Sequence, residues 1–457
     1  MADGLPGARG GRRNIRWVVL LSIAVPMFAS YFFDDIFSSI SQIFEDPSAV
    51  ALGWSMADYG YFRSAYSLLC IFGGLVVCGM LLDKWGIRVT GSIFVGLMAA
   101  GAAIVAYAVS SSFAGSRIAS GMAAFTDKPS LTLAYAGCAM FGLGSEIAGV
   151  TVNRAIAKWF KGKEMALAMG LQLALARLGT AVALIIVPRI VATDGYVPFG
   201  ETSRPAMTGL ALIFLALLLW ALFVAIDCAY DRRECGNPGK GRTRKPEDEF
   251  RISDVWKVLS DKYFILLSLL CVSFYCCVIS FRKFATSILI PRFGIDSGTA
   301  SVMVAMIPFF TLVFAPVFGA VVDRVGKGTK IMILGSVMIL CSHLMVAFAP
   351  SVPALGFIAI AILGLGYSLV PAAMWPSVPK IIPESKLGTA FSLVYWVQNI
   401  GLFLTPVIVG NIIDRVKNPV AAEYFFILLA VAALMVSIVF SRASDTNPAL
   451  GLDRKAG

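Results

Sequence analysis

The chain has 457 residues, 58% of them hydrophobic and only 14% charged, with a mean hydropathy of +0.82. Soluble domains run nearer half apolar and a quarter charged, so water is not the main solvent of this chain, and an anchored soluble domain is excluded. The net charge of +11 would point to nucleic acid in a soluble protein, but here the basic residues fall in short loops between apolar runs. The positive-inside rule accounts for them, and no nucleic-acid partner is expected.

Apolar runs of about 20 residues, the length that spans roughly 30 Å of hydrocarbon, recur along almost the whole sequence. In chain order they predict helices over 17–45, 60–82, 89–110, 131–159, 165–190 and 207–228. A second set follows over 263–291, 298–322, 330–349, 353–379, 387–413 and 421–441. The expectation is an all-α membrane protein, twelve transmembrane helices in two six-helix halves embedded in a lipid bilayer. Residues 1–16 form an N-terminal tail, 17–228 the first half, 229–262 a linker, 263–441 the second half and 442–457 a C-terminal tail. The first run, from Trp17, is too long for a cleavable signal peptide and reads as the first span. Placing both tails and the linker on one side puts most of the 38 Lys and Arg there, so both termini are expected to be cytoplasmic.

Seven cysteines lie inside apolar runs with no CxxC pair, and His343 is the only histidine. Neither a disulfide framework nor a metal site is expected, and His343 reads as a hydrogen-bonded core residue. No Walker motif is present, so no cofactor or nucleotide is expected. Without a nucleophile beside a base, an enzyme is not expected either; a receptor would need a signalling domain for which the chain has no room.

Gly79, Asp83, Gly86 and Arg88 in GMLLDKWGIR follow the second predicted span, and Gly319, Asp323 and Gly326 in GAVVDRVGK follow the eighth. One G-x-x-x-D-x-x-G match is weak; two at equivalent turns of a six-plus-six chain point to duplicated halves. The glycine would let helices approach closely, and the aspartate at a helix end would accept hydrogen bonds from an arginine or from backbone N–H groups of a facing helix, a latch for one of two states. The pattern resembles the signature loop of the major facilitator superfamily, and the likeness covers essentially the whole chain.

A charge at the centre of a span costs about 2.5–3.5 kcal/mol on insertion scales, so ionisable residues there are functional candidates. Glu146 in MFGLGSEIAGV and Arg177 in LQLALARLGTA stand almost equally far from Gly162 in the turn between their helices. Antiparallel helices would place both at one depth, on the order of 20 Å in and near the midplane. Two readings stay open: a structural ion pair, or a clamp for a zwitterion with its ammonium at Glu146 and its carboxylate on the fork of Arg177. Asp34 and Asp35, just after Tyr31, lie toward the outer part of the first span, where one would take an amine or a proton. Arg282 and Lys283 fall near the outer end of the seventh span, where snorkelling competes with substrate contact. Gln398 and Asn399 lie near mid-depth in the eleventh span and would bond a substrate or glue helices. Trp375 and Tyr367 are aromatics of the tenth span whose default role is packing, and Trp375 joins the substrate-facing candidates.

Two longer stretches, WFKGKEMALAMGLQLALARLG and LGLGYSLVPAAMWPSVPKIIPESKLGTAFSLVYWVQNIGLFLTPVIVGNIID, together with SYF and Asp35 in the first span, resemble the branch of the animal lysosomal dipeptide transporters. The resemblance implies carriage of dipeptides by alternating access, with Glu146 near the peptide amine and Arg177 near its carboxylate. Where that branch has an apolar stretch and then a lysine in the seventh span, this chain has Arg282, Lys283 and Thr286. It has no N-x-S/T acceptor and no acidic dileucine signal in its tail. A plasma membrane, of bacterial inner-membrane type, is therefore the expected location, without an assumed accessory subunit. The alternative substrate is an organic anion held by Arg177 with Arg282 or Lys283. Uniport and proton coupling both remain open.

Overall fold

The computed structural model describes residues 6–45, 51–160, 165–191, 199–235, 258–383 and 387–453, and most of the 229–262 linker lies outside them. The side chains at Gly79, Asp83 and Asp323 likewise lie outside the described residues. Among the described residues all regular structure is helical. The spans are α1 (Ile15–Glu45), α2 (56–85), α3 (87–108), α4 (Pro129–Phe160), α5 (Met165–Val191) and α6 (Gly200–Cys235). The second six are α7 (Lys262–Phe293), α8 (Ser297–Val325), α9 (Gly328–Phe348), α10 (Pro353–Ile381), α11 (Leu387–Val416) and α12 (Ala422–Asp445). Among the described residues, eleven helices are long and apolar enough to cross a membrane unaided. α2 completes the twelve in two pieces, Met56–Leu69 and 75–85, joined by a wide π turn at Cys70–Gly74 where Gly73 has φ 84°. With an even number of spans, α1 starts and α12 ends on the same side, the proximal end; the opposite end is distal.

The signature glycines do the same work in both halves. Gly86 (φ 77°, ψ 177°) breaks the helical run Leu75–Ala108 and turns the chain from α2 into α3, while Gly326 (φ 68°) ends α8 before α9. A side chain rarely tolerates that backbone region, so the spacing of the motif is set by the turn. The expected close approach does not occur at Gly319, where an added Cβ would meet nothing within 4 Å. The tight contacts are elsewhere.

Within the first half α3 packs on α4 and α6, and α1 on α5 and α6; the second half repeats this as α9 on α10 and α12, and α7 on α11 and α12. The halves meet through α2 on α11, through α5 on α8, and through the distal ends of α1 and α7. Gly60 and Gly410 make the first of these contacts possible: a Cβ at Gly60 would lie 2.3 Å from the Pro406 carbonyl oxygen, and one at Gly410 2.4 Å from that of Met56. The same contact is capped by Asp414, which accepts the Met56 and Ala57 backbone N–H groups at 3.2 and 3.1 Å. The distal end is thus closed.

His343 is a core residue, as expected: its Nδ1 lies 2.9 Å from Glu423 Oε2 between α9 and α12, both side chains fully buried.

Leucine at Gly410 has no room beside Met56 and is expected to wedge the distal ends of α2 and α11 apart. A cysteine introduced at buried Ser41 should then react with a membrane-impermeant maleimide at least about tenfold faster in Gly410→Leu than with Gly410 intact, the ratio expected if roughly 1.4 kcal/mol of closure is lost. An unchanged labelling rate would show that this contact does not hold the end shut.

Candidate functional site

Two glycines on the first half decide where the polar side chains meet. A Cβ at Gly142 of α4 would lie 2.0 Å from the Tyr66 carbonyl oxygen of α2, so the two backbones touch there. One turn further along α4, on the same face, Glu146 Oε1 accepts the Tyr66 hydroxyl at 3.1 Å, and that hydroxyl also lies 3.2 Å from Ser145 Oγ. Likewise Gly179 of α5 abuts the Phe28 backbone of α1, its Cβ position 2.3 Å from that carbonyl oxygen. This approach brings Arg177 against Tyr31, with the guanidinium carbon 5.7 Å from the ring centroid.

Glu146 and Arg177 do not form the structural ion pair that the sequence left open. Glu146 is held by Tyr66, and Arg177 lies between Tyr31 and, across the interface, Tyr367 of α10 at 5.8 Å. Its Nε is buried with no hydrogen-bond partner. Both residues are only partly buried although they sit mid-span. They face a cleft between the halves.

The second half lines that cleft with aromatics. Trp375 donates its Nε1 proton to the Tyr275 hydroxyl at 3.1 Å and stacks on Tyr395 at 5.1 Å between centroids. Tyr367 stands edge-on to Tyr275 at 6.1 Å. Tyr395, within electrostatic reach of Glu146, Tyr31 and Arg177, is 42% exposed, so the cleft admits solvent there. Gln398 and Asn399 are more buried: Gln398 Oε1 lies 3.7 Å from Cys271 Sγ, and Asn399 donates to the Tyr395 carbonyl at 3.0 Å with its own Oδ1 unpartnered. Trp396 donates across the halves to the Ile71 carbonyl at 2.6 Å.

The distal floor of the cleft is ionic. The helical part of α1 stops at Asp35, where the chain turns into the tight helix Phe37–Glu45. Asp35, fully buried, pairs with Arg282 of α7 at 3.2 Å, and Asp34 pairs with Arg63 of α2 at 2.9 Å. Ser41 and Thr286 bond at 2.8 Å beside them, and the Tyr59 hydroxyl donates to the Lys283 carbonyl at 2.7 Å. Arg282 and Lys283 do not snorkel: a π turn at Cys276–Ser280 precedes them in α7, and their side chains are 5% and 3% exposed. The structure therefore brings Tyr31, Glu146, Arg177 and Trp375 around one cleft, leaves Gln398 and Asn399 buried, and places Asp35 and Arg282 against each other at the closed end. The sequence reading missed Arg63, Tyr66 and Tyr395. The charge of Arg63 is a visible signal, but a second span begun at residue 60 leaves it near the span end; the helix starts at Met56, behind a capping box of Ser55 and Asp58.

At the proximal end Arg88 of the signature loop is bound by Asp227 (2.6 Å) and Asp231 of α6, which also hold Lys158, while Trp159 donates to Asp227 at 2.8 Å. The second half answers with Lys330 of α9 on Asp445 of α12 at 2.8 Å. The latch expected of Asp83 and Asp323 falls on side chains outside the described residues.

Twelve helices in two like halves around a solvent-reaching polar cleft, shut at one end, define a multi-pass membrane carrier. The model of the Major Facilitator Superfamily matches residues 22–406 and 277–456, and the chain belongs to that superfamily. It is 27% identical to the human lysosomal dipeptide transporter MFSD1 over 445 residues, 94% of this chain and 88% of the relative. The Danio rerio lysosomal dipeptide transporter MFSD1 is 29% identical over 431 residues, 93% and 86% of the two chains. A crystal structure of the D-xylose–proton symporter superposes with a TM-score of 0.68 over 93% of this chain and 97% of the symporter, at 13% identity, a likeness of fold alone.

Asp35→Asn leaves Arg282 buried without its carboxylate, and breaking such a pair costs about 3–5 kcal/mol, while neutralising both partners costs far less. Thermal unfolding of the purified protein should show a clear loss for Asp35→Asn and a recovery in Asp35→Asn/Arg282→Gln. If the double variant is as unstable as the single one, the pair is not what stabilises this end.

Proposed function

We propose that the chain is a secondary carrier of small zwitterionic solutes, most specifically dipeptides, working by alternating access between its halves. The observation that carries this reading is that two opposite charges are each held by tyrosines and do not pair with each other. Glu146 and Arg177 face the same cleft from adjacent helices, each held by tyrosines, and leave each other unpaired. In a low-dielectric site, unpaired opposite charges favour a ligand that brings the complement of both. The ammonium of a dipeptide would sit at Glu146 beside the Tyr66 hydroxyl. Its carboxylate would take the free edge of Arg177, whose planar fork binds carboxylates in bidentate fashion. Tyr31 and Trp375 supply ring faces for the peptide between them. The names of the relatives agree with this substrate class, and the matches cover 88% and 86% of the two relatives.

Asp35 and Arg282 act in this scheme as gate residues, closing the cleft distally while solute exchanges on the proximal side. The signature-loop residues Gly79, Asp83, Gly86 and Arg88, with Gly319, Asp323 and Gly326, belong to the proximal gate. We place the proximal end, with both termini, in the cytoplasm, and the carrier in a plasma membrane; the bias of Lys and Arg supports this sidedness.

Binding to the folded state raises the melting temperature by mass action, which gives a direct test on the purified protein. Dipeptides are expected to stabilise it and single amino acids or organic acids to do so less. Glu146→Gln should abolish the dipeptide effect while leaving any organic-acid effect intact or larger; Arg177→Gln should abolish both. Stabilisation of the wild type by organic acids alone would replace the zwitterion reading with an anion carrier centred on Arg177.

A further inference from the structure

Five charged side chains meet at the closed end of the cleft, and four of them make two pairs: Asp34 with Arg63, and Asp35 with Arg282. Lys283 is the remainder. Its side chain is 3% exposed, and its ammonium has only the Arg63 carbonyl oxygen at 3.5 Å and the face of the Tyr66 ring, 5.8 Å from the centroid. No carboxylate pairs with it among the described residues. A buried cation with so poor a set of partners is costly in a membrane interior and calls for a negative charge from elsewhere.

The position of Tyr66 says where that charge would come from. Its hydroxyl donates to Glu146 at 3.1 Å, and its ring is fixed edge-on against Phe141 at 6.1 Å. Lys283 and Glu146 thus flank one immobilised tyrosine, the ammonium over the ring and the carboxylate at the hydroxyl. A dipeptide with its amine at Glu146 has its first side chain rooted on the adjacent carbon, beside this ring. The second residue points away, toward Arg177.

We propose that Lys283 is a specificity-determining residue that receives a carboxylate on the first side chain of the substrate, so that dipeptides beginning with Glu or Asp are preferred over their neutral counterparts. This rests on the dipeptide reading above and deepens it. The neighbouring carboxylates do not compete for Lys283, because Asp34 and Asp35 are each engaged by an arginine at 2.9 and 3.2 Å. An incoming carboxylate gives the lysine the counter-ion that the chain itself withholds.

The test compares three probes of nearly equal size on the purified full-length protein at neutral pH: Glu-Ala, Gln-Ala and Ala-Glu, with affinities read from ligand-induced thermal stabilisation. Glu-Ala is expected to bind at least about tenfold more tightly than Gln-Ala and Ala-Glu, a ratio worth roughly 1.4 kcal/mol. In Lys283→Met that ratio should fall to near one while the affinity for Gln-Ala stays within about twofold, well under the same tenfold step. Equal binding of Glu-Ala and Gln-Ala by the wild type, or a preference that survives Lys283→Met, overturns the proposal. Equal binding of Glu-Ala and Ala-Glu overturns its assignment to the first side chain. If Lys283→Met does not fold, Lys283→Gln takes its place, and the wild-type comparison decides by itself. Failure of all three peptides to bind sinks the dipeptide reading and this inference with it, whereas binding of Gln-Ala without preference for Glu-Ala sinks this inference alone.

Discussion

A hydrocarbon interior makes a lone charge expensive, and the arrangement of the polar core of this protein follows from that constraint. Asp34 and Arg63, Asp35 and Arg282, and His343 and Glu423 all satisfy it by pairing. Apart from Asp34, whose side chain is 20% exposed, these side chains are buried, and each pair joins two different helices. Among the described residues of this core, Glu146, Arg177 and Lys283 do not pair with a partner of opposite sign, and all three border Tyr31 or Tyr66. The contrast between the two groups separates architecture from solute handling more clearly than residue type does.

The same constraint explains why glycine, rather than a large apolar residue, marks the important helix contacts. In a bilayer there is little hydrophobic gain in pressing two apolar helices together, so association depends on close packing and hydrogen bonds. Gly142 and Gly179 bring backbones into contact one turn or less from Glu146 and Arg177, setting those side chains by the rigid approach of whole helices. Gly60 and Gly410 do this at the distal closure, where Asp414 completes the contact through two backbone N–H groups.

Much of this was legible in the sequence. Span count, duplicated halves and the presence of Glu146 and Arg177 as charges inside spans all follow from apolar periodicity and motif spacing, which act locally. What was not legible depends on rotation about helix axes and on where a helix begins. The N-cap at Ser55 moves Arg63 from an interfacial position to the core. The π turn at Cys276–Ser280 re-aims Arg282 and Lys283 inward, against the snorkelling that their place near a span end implies. Tyr66 and Tyr395 were invisible because an aromatic residue in a span carries no signal of the face it occupies. The role of Gly319 was misjudged for the related reason that a motif gives spacing, not neighbours.

The pairing of Asp35 with Arg282 also bears on how such a carrier changes over generations. The two residues lie in different halves, and either one alone is a liability once the other is lost. Drift at position 35 is therefore not independent of drift at position 282, and a lineage would pass from this pair to an apolar one only through a poorly folding intermediate or a near-simultaneous double change. A closure built this way is hard to lose by small steps, and its persistence in descendants would reflect that barrier as much as any advantage in transport.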